Sequence, residues 1–283
     1  MKIVREKITD LDLEHTFDCG QCFRWNREAD GSYTGVAFGR VINIVLKEDK
    51  LTIDHTTDEE FDQIWIPYFD LTRDYGKIMG ELAAADETMK EAIVYGRGLR
   101  ILQQDKWETL ISFIISQNNN ILRIKKCIET LCENFGAYAG EYHGKKYYAM
   151  PSFDVLANLT LEDLASCKLG YRANYILETA KLVAADGGRT LESTGAMTTE
   201  DALAYLLSLS GVGPKVANCI LLFSMGKDES FPIDVWIKRV MNRFYQIEEK
   251  DMKKMQDFAV ETFGVYGGIA QQYLFYYIRS NPC

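Results

Sequence analysis

Leu209-Ser210-Gly211-Val212-Gly213-Pro214-Lys215 separates two segments with helical apolar spacing, residues 201–208 and 215–225, and leaves the chain few ways to run. Residues 201–208 place apolar side chains on one helical face with polar ones between them. Gly211 and Gly213 permit positive φ and let another backbone come close. Pro214 suits the first position of a helix, where a missing N–H costs nothing, and residues 215–225 then read as a mostly buried helix. The result is a tight hairpin of helices. It is either an ordinary corner, or a site where free N–H groups and the helix dipole grip an anion or a cation-bridged phosphate. Gly-x-Gly alone does not choose between them.

Lys215 shifts that balance. It stands in the first turn of an otherwise apolar helix, and partial desolvation is the usual route to an amine nucleophile. Cys219 lies four residues on, on the same face. Phe231-Pro232-Ile233-Asp234 brings a carboxylate to where it caps a helix over residues 235–245, worth about 1 kcal/mol as a cap alone. Close to Lys215, the same carboxylate could stabilise positive charge on a sugar or take the amine's proton.

Four further stretches join the hairpin: Cys19-Gly20-Gln21-Cys22-Phe23-Arg24-Trp25, Ser112-Phe113-Ile114-Ile115-Ser116-Gln117-Asn118-Asn119-Asn120, Leu169-Gly170-Tyr171-Arg172-Ala173, and Gly267-Gly268-Ile269-Ala270-Gln271-Gln272-Tyr273-Leu274-Phe275. In this order they resemble the motifs of the 8-oxoguanine DNA glycosylase family, within the helix-hairpin-helix-GPD superfamily. The resemblance runs from about residue 19 to 275, nearly the whole chain. It implies a base excision repair enzyme, a bifunctional DNA N-glycosylase and AP lyase. Such an enzyme flips 8-oxoguanine from duplex DNA, displaces it through a lysine Schiff base, and cleaves the strand by β-elimination.

Residue by residue, Lys215 matches the catalytic lysine and Asp234 its acidic partner. Gly20 matches the glycine whose carbonyl accepts the N7–H of the oxidised base. Guanine presents an N7 lone pair there and would leave a buried carbonyl unpaired, at about 1–3 kcal/mol. Cys219 and Phe275 match the residues that sandwich the flipped base, and Gln271 one that bonds its Watson–Crick edge. Asn118 matches the residue that fills the gap in the duplex, Arg123 and Arg172 those that read the orphaned cytosine, and Tyr171 a wedge beside it. Gly211 and Gly213 belong to the phosphate-gripping hairpin. Trp236 departs from the pattern, since the family often has a histidine there that meets a phosphate. An indole donates one hydrogen bond and carries no charge; Lys238 and Arg239 are nearby candidates to compensate.

Flipping makes physical sense of the set, because C1′ is not reachable in a stacked duplex and aromatic stacking offsets part of the lost base stacking. Taken singly, Phe275 reads as core, Asn118 to Asn120 as a helix-ending loop and Arg123 as a surface charge. A Schiff base needs no metal or organic cofactor, and none is expected. The resemblance does allow a monovalent cation bridging the carbonyls of residues 209–213 to phosphate. Two alternatives stay open: a glycosylase of the same superfamily for another damaged purine, and a non-catalytic helix-hairpin-helix DNA-binding module.

The net charge is −9, from 32 Lys and Arg against 41 Asp and Glu, whereas nonspecific nucleic-acid binders are commonly basic. Lys125, Lys126, Lys145, Lys146, Lys168, Arg172, Lys215, Lys238, Arg239 and Arg243 nevertheless fall in the helical part, and acids crowd residues 54–62. Short-range phosphate contacts with steep salt dependence are expected, with oxidised duplex DNA as the partner. No stretch is long and apolar enough to span a bilayer, and residues 1–6 lack a signal-peptide run. A soluble, cytoplasmic, DNA-associated monomer is expected.

Seven cysteines suggest a reducing compartment rather than a disulfide scaffold. Cys19 and Cys22 form a C-x-x-C that reads as core, as a redox pair or as part of a metal site. Cys127, Cys132, Cys167, Cys219 and Cys283, with His15, His55 and His143, are too scattered to complete a zinc site. The tail lacks the four-cysteine cluster of iron–sulfur members of the superfamily.

Residues 32–55 alternate β-branched and apolar runs with turns, as antiparallel strands do, and Thr57-Asp58-Glu59-Glu60 marks a helix start. Helices are predicted over residues 107–117, 123–134, 161–167, 174–185, 201–208, 215–225, 235–245, 252–263 and 271–279, with Thr160 and Asp163 as a capping pair. Residues 137–150 hold no β-branched side chain and read as a surface loop. The expected fold is α+β. A domain of residues 1–100, a small antiparallel sheet with helices, packs on a helical glycosylase domain of residues 101–283 whose hairpin spans about 201–226.

Overall fold

The computed structural model describes residues 1–281. Strands β1 (Lys2–Arg5), β2 (Trp25–Arg27), β3 (Tyr33–Ala37), β4 (Arg40–Lys47) and β5 (Lys50–Asp54) form one antiparallel sheet in the order β1-β5-β4-β3-β2. Alternation decides which face is inside: Ile42, Ile44, Leu51 and Ile53 are fully buried, and Ile44 lies opposite Ile53. That face packs on an aromatic core in which Phe17 stacks on Trp25 at 4.3 Å. The helix predicted at Thr57 begins there, closed by a Thr57–Glu60 capping box.

Residues 137–150 are not a loop. Strands β6 (Tyr138–Tyr142) and β7 (Lys145–Tyr148) pair as a hairpin, turned by His143 and Gly144 at φ of 50° and 77°. Two adjacent positive φ values are the mark of the tight turn that best fits strand twist. Tyrosines supply the strand preference that the absent β-branched residues do not. Tyr147 packs with Val36 and Val41 of the sheet, so the hairpin ties the sheet to the helical body.

In that body the predicted helices appear with small shifts, as Lys106–Ser116, Ile121–Phe135, Arg172–Ala184, Thr199–Leu207, Pro214–Ser224, Val235–Tyr245, Met252–Phe263 and Gly267–Ser280. Residues 161–167 narrow to a 3-10 turn over Asp163–Cys167, and Thr160 and Asp163 exchange the expected capping bonds. Helices Tyr75–Ala85 and Glu87–Tyr95, capped by Asp74 and Asp86, were not anticipated.

The Cys19-Gly20-Gln21-Cys22 turn is the seam between the two large cores. Cys19 and Phe23 enter the helical core, while Cys22 and Trp25 enter that of the sheet. The Gln21 amide donates to the carbonyls of Thr16 and Arg100 at 2.8 Å each, and its oxygen accepts from the Leu102 N–H at 2.9 Å. The six described cysteines are buried and unpaired. Burial pushes the Cys19 thiol up to about 11 and holds that of Cys22 well above its ordinary value. Thiolate is the reactive and ligating form, and no cluster of His, Cys, Asp or Glu among the described residues could hold a metal. The C-x-x-C thus places one cysteine in each core. Cys283 lies outside the described residues. Among the described residues no helix is long and apolar enough to cross a membrane.

Candidate active site

A cleft of about 720 Å³ opens where the end of helix Lys106–Ser116, the hairpin, the start of Val235–Tyr245 and the Gly20 turn meet. Beneath it lies a pocket of about 40 Å³ bordered by Cys219 and Gln271. Gly20, Phe113, Lys215, Asp234 and Phe275 border both. The inner pocket holds little more than one water's share of liquid volume, ~30 Å³, so a purine enters only if a wall gives way. Half-buried Phe275 is one of the five residues that face both spaces.

Lys215 is half-buried on the first turn of Pro214–Ser224, with its Nζ 5.3 Å from the centroid of the Phe113 ring. Phe113 is itself buried and stacked on Phe223 at 5.5 Å. The amine thus rests on an aromatic floor and reaches the junction of cleft and pocket. Asp234 approaches from the next helix. It caps that helix through one oxygen, which accepts the N–H groups of Trp236 and Ile237 at 2.9 Å each. Burial lifts the Asp234 carboxyl above its ordinary range, against the downward pull of the Ile237 N–H, the Lys215 charge and the Trp236 N–H. A carboxylate raised this way is a better proton acceptor than a solvated one.

The four residues expected to read the base converge at this pocket. Gly20 adopts φ +85°, and a Cβ there would meet Arg279 at 3.3 Å and Phe275 at 3.4 Å, so any side chain there would be strained and crowded. Gln272 fixes the turn by donating to the Cys19 carbonyl at 2.8 Å. Cys219 is buried, its thiol raised by desolvation with Lys215 opposing. Gln271 is 4% exposed, and its Oε1 has no hydrogen-bond partner. An unpaired buried acceptor costs about 1–3 kcal/mol, and here it faces the pocket.

The predicted DNA-contact residues form a second group around the cleft. Asn118 is exposed at φ 46°, and its amide donates to the Tyr171 hydroxyl at 3.3 Å. Tyr171 is 51% exposed, as a wedge requires. Arg123 is exposed on the first turn of Ile121–Phe135. Gly211, at φ +74°, could not carry a Cβ, which would lie 2.5 Å from the Tyr175 ring. Gly213 faces open space ahead of Pro214. The carbonyls of Leu209, Ser210 and Gly211 each accept one bond, from the Val212 N–H, the Thr179 hydroxyl and the Gln117 amide. A carbonyl has two lone pairs, so a hairpin cation would use the second of each. Trp236 is half-buried at the cleft, under the Arg239 guanidinium at 4.8 Å.

Arg172 is the more enclosed of the two arginines matched to cytosine reading. It is 4% exposed. Its nitrogens donate to the carbonyls of Gln117, Asn118 and Leu169. Four of the five guanidinium N–H groups are spent on the protein, so at most one remains for a base. Arg172→Ala is expected to lower stability by about 2–4 kcal/mol in denaturant unfolding. Exposed Arg123→Ala should stay within about 0.5 kcal/mol yet relax the preference for cytosine opposite the lesion. Equal, small stability losses in both would contradict this division.

Sequence reasoning assigned no role to Phe113, Gln117, Gln272 or Arg279. Gln117 donates to Gly211 at 2.8 Å and so links the asparagine turn to the hairpin. Phe113, Gln117 and Gln272 lie inside the stretches that carry the family resemblance. Arg279 was discoverable from its spacing, four residues after Phe275.

A helical hairpin that presents a lysine to a deep pocket beside a capping aspartate defines a base-excision glycosylase fold. The family model described as HhH-GPD superfamily base excision DNA repair protein matches residues 111–263, and that of the 8-oxoguanine DNA glycosylase N-terminal domain matches residues 3–110. The chain is 42% identical to the Clostridium acetobutylicum 8-oxoguanine glycosylase/lyase solved with dsDNA containing cytosine opposite 8-oxoG, covering 99% of each chain with a TM-score of 0.93. It is 47% identical to MBOgg1, solved with a low-affinity DNA ligand, covering 100% of this chain and 96% of that one with a TM-score of 0.95. The Arabidopsis thaliana N-glycosylase/DNA lyase OGG1 is 28% identical over 94% of this chain and 77% of its own length. The chain belongs to the 8-oxoguanine DNA glycosylase family.

Proposed function

We infer that this protein is a bifunctional DNA repair enzyme that excises 8-oxoguanine from duplex DNA and then cleaves the abasic strand. The observation that carries the reading is Lys215 at the junction of cleft and pocket, with the unpaired Gln271 oxygen and the Gly20 carbonyl, which accepts no hydrogen bond from any described residue, at the same pocket. A flipped base supplies partners for both, since guanine derivatives offer donors on the Watson–Crick edge and the oxidised base adds the N7–H.

In this scheme the neutral Lys215 amine attacks C1′. The C1′–N9 bond breaks and its electron pair leaves with the base. Asp234 faces the positive charge that builds on the sugar and accepts the proton released by the amine. Sugar opening gives an imine; loss of a C2′ proton then expels the 3′ phosphate. Asn118 fills the vacated position, Tyr171 wedges beside it, and Arg123 reads the orphaned cytosine. The hairpin N–H groups and Trp236, with Lys238 and Arg239, hold the backbone. Every group comes from one chain, so a monomer suffices. No step requires a metal or organic cofactor; a monovalent cation between hairpin carbonyls and phosphate would only strengthen the grip.

Borohydride reduction across several lesions tests the reading. A covalent adduct should form with 8-oxoguanine opposite cytosine and with a preformed abasic site, but not with an alkylated purine or intact guanine. Trapping with the alkylated purine alone would transfer the assignment to another branch of the superfamily. No trapping with any of them would leave a DNA-binding module.

A further inference from the structure

We propose that Arg279 is a specificity-determining residue that reads the C8 carbonyl oxygen of the lesion. The proposal rests on the functional reading above and deepens it. Oxidation changes one edge of guanine in two ways: N7 gains a proton, and C8 gains a carbonyl oxygen. The Gly20 carbonyl answers the first change. The second calls for a donor next to Gly20, because N7 and C8 are bonded neighbours.

Arg279 is placed for that task. It lies four residues after Phe275 on helix Gly267–Ser280, with its guanidinium carbon 5.5 Å from the Phe275 ring centroid. Its Nη2 donates to the Asp18 carbonyl, which anchors the group against the turn that carries Gly20. Its Nη1 is buried and has no hydrogen-bond partner. No carboxylate among the described residues forms a salt bridge with it.

Nη1 lies 3.3 Å and the Phe275 ring edge 3.4 Å from the position a Cβ on Gly20 would occupy. The Gly20 backbone, the aromatic edge and the unpaired donor therefore lie side by side. All three residues border the cleft. When Phe275 yields to a base, the edge that arrives at Gly20 also arrives at Nη1. With 8-oxoguanine the donor gains a carbonyl oxygen. With guanine it meets a C–H and stays unpaired, which adds to the penalty already levied at Gly20.

The test compares two substrates on one enzyme. Arg279→Met keeps a long side chain against Phe275 and removes the donors; Arg279→Lys keeps the charge. Single-turnover excision of 8-oxoguanine opposite cytosine should fall about tenfold or more in Arg279→Met and less in Arg279→Lys. Cleavage of a preformed abasic site, which has no base to read, should fall far less than excision in both, and this also reports that the variants fold. In a Lys215→Gln background, Arg279→Met should narrow the affinity gap between 8-oxoguanine and guanine duplexes by a similar factor. Equal losses on both substrates would reduce Arg279 to a brace for the turn, and undiminished excision would also overturn the proposal. If Arg279→Met fails to cleave abasic DNA, the Lys variant carries the same comparison, and full excision by it together with an unchanged affinity gap overturns the proposal. Failure of the wild-type protein to excise 8-oxoguanine would instead remove the functional reading.

Discussion

Lys215→Gln yields a folded protein that forms no borohydride-trapped adduct and excises 8-oxoguanine more slowly by roughly 10³-fold or more, as expected when the nucleophile of a covalent mechanism is removed. Glutamine keeps most of the aliphatic stem in contact with Phe113 and gives up the cation over its ring. That contact is worth only ~0.5–1 kcal/mol at a partly exposed site, so thermal unfolding should barely move. The loss therefore reads as chemistry. Duplex binding should persist, because the hairpin and the asparagine turn are untouched. A trapped adduct in the glutamine variant would mean that another amine does the work, and the assignment of Lys215 would be wrong.

Asp234→Asn separates activity from stability. Asparagine caps a helix about as well as aspartate, so the bonds from the Trp236 and Ile237 N–H groups should persist. What disappears is the charge. Excision should fall by about 10²–10⁴-fold, the range expected for losing a positioned acid–base or electrostatic group. Stability should move the other way. Burial raises the Asp234 carboxyl above its unfolded value, so the folded state holds that proton more tightly than the unfolded state. Its contribution to stability is fully present below the unfolded value, ~3.9, and declines as pH rises through the folded value. At neutral pH the ionised group is thus a net cost, which asparagine does not carry. The variant should melt at or above the wild-type temperature at pH 7, and this advantage should vanish near pH 4. Wild-type excision should lose its acid limb at a higher pH than a solvent-exposed aspartate would set. A variant clearly less stable than wild type at pH 7 would show that the carboxylate is stabilised, contrary to the desolvation argument.

Much of this was legible before any coordinates. Helix Val235–Tyr245 falls on its predicted residues, because an aspartate cap and a periodic apolar face define both its start and its body. The hairpin could be read from glycines and a proline whose backbone demands are local. The β6–β7 hairpin was not legible, because tyrosines on a strand look like tyrosines in a loop until Val36 and Val41 are there to pack on. The enclosure of Arg172 was hidden for a related reason. A sequence shows that an arginine has five donors, but not that the carbonyls of Gln117, Asn118 and Leu169 claim most of them. Phe113 and Arg279 acquire meaning only from residues far away in the chain, Lys215 for the first and Gly20 for the second.

The burial of the described cysteines has a bearing on where such an enzyme must work. Guanine lesions of this kind arise when peroxide and related oxidants are abundant, the same agents that convert accessible thiolates to sulfenic and then sulfinic acids. Here the sulfurs are withheld from solvent, and several, Cys22 and Cys132 among them, are held protonated by desolvation. The described thiols thus offer little purchase to the insult whose damage the enzyme removes.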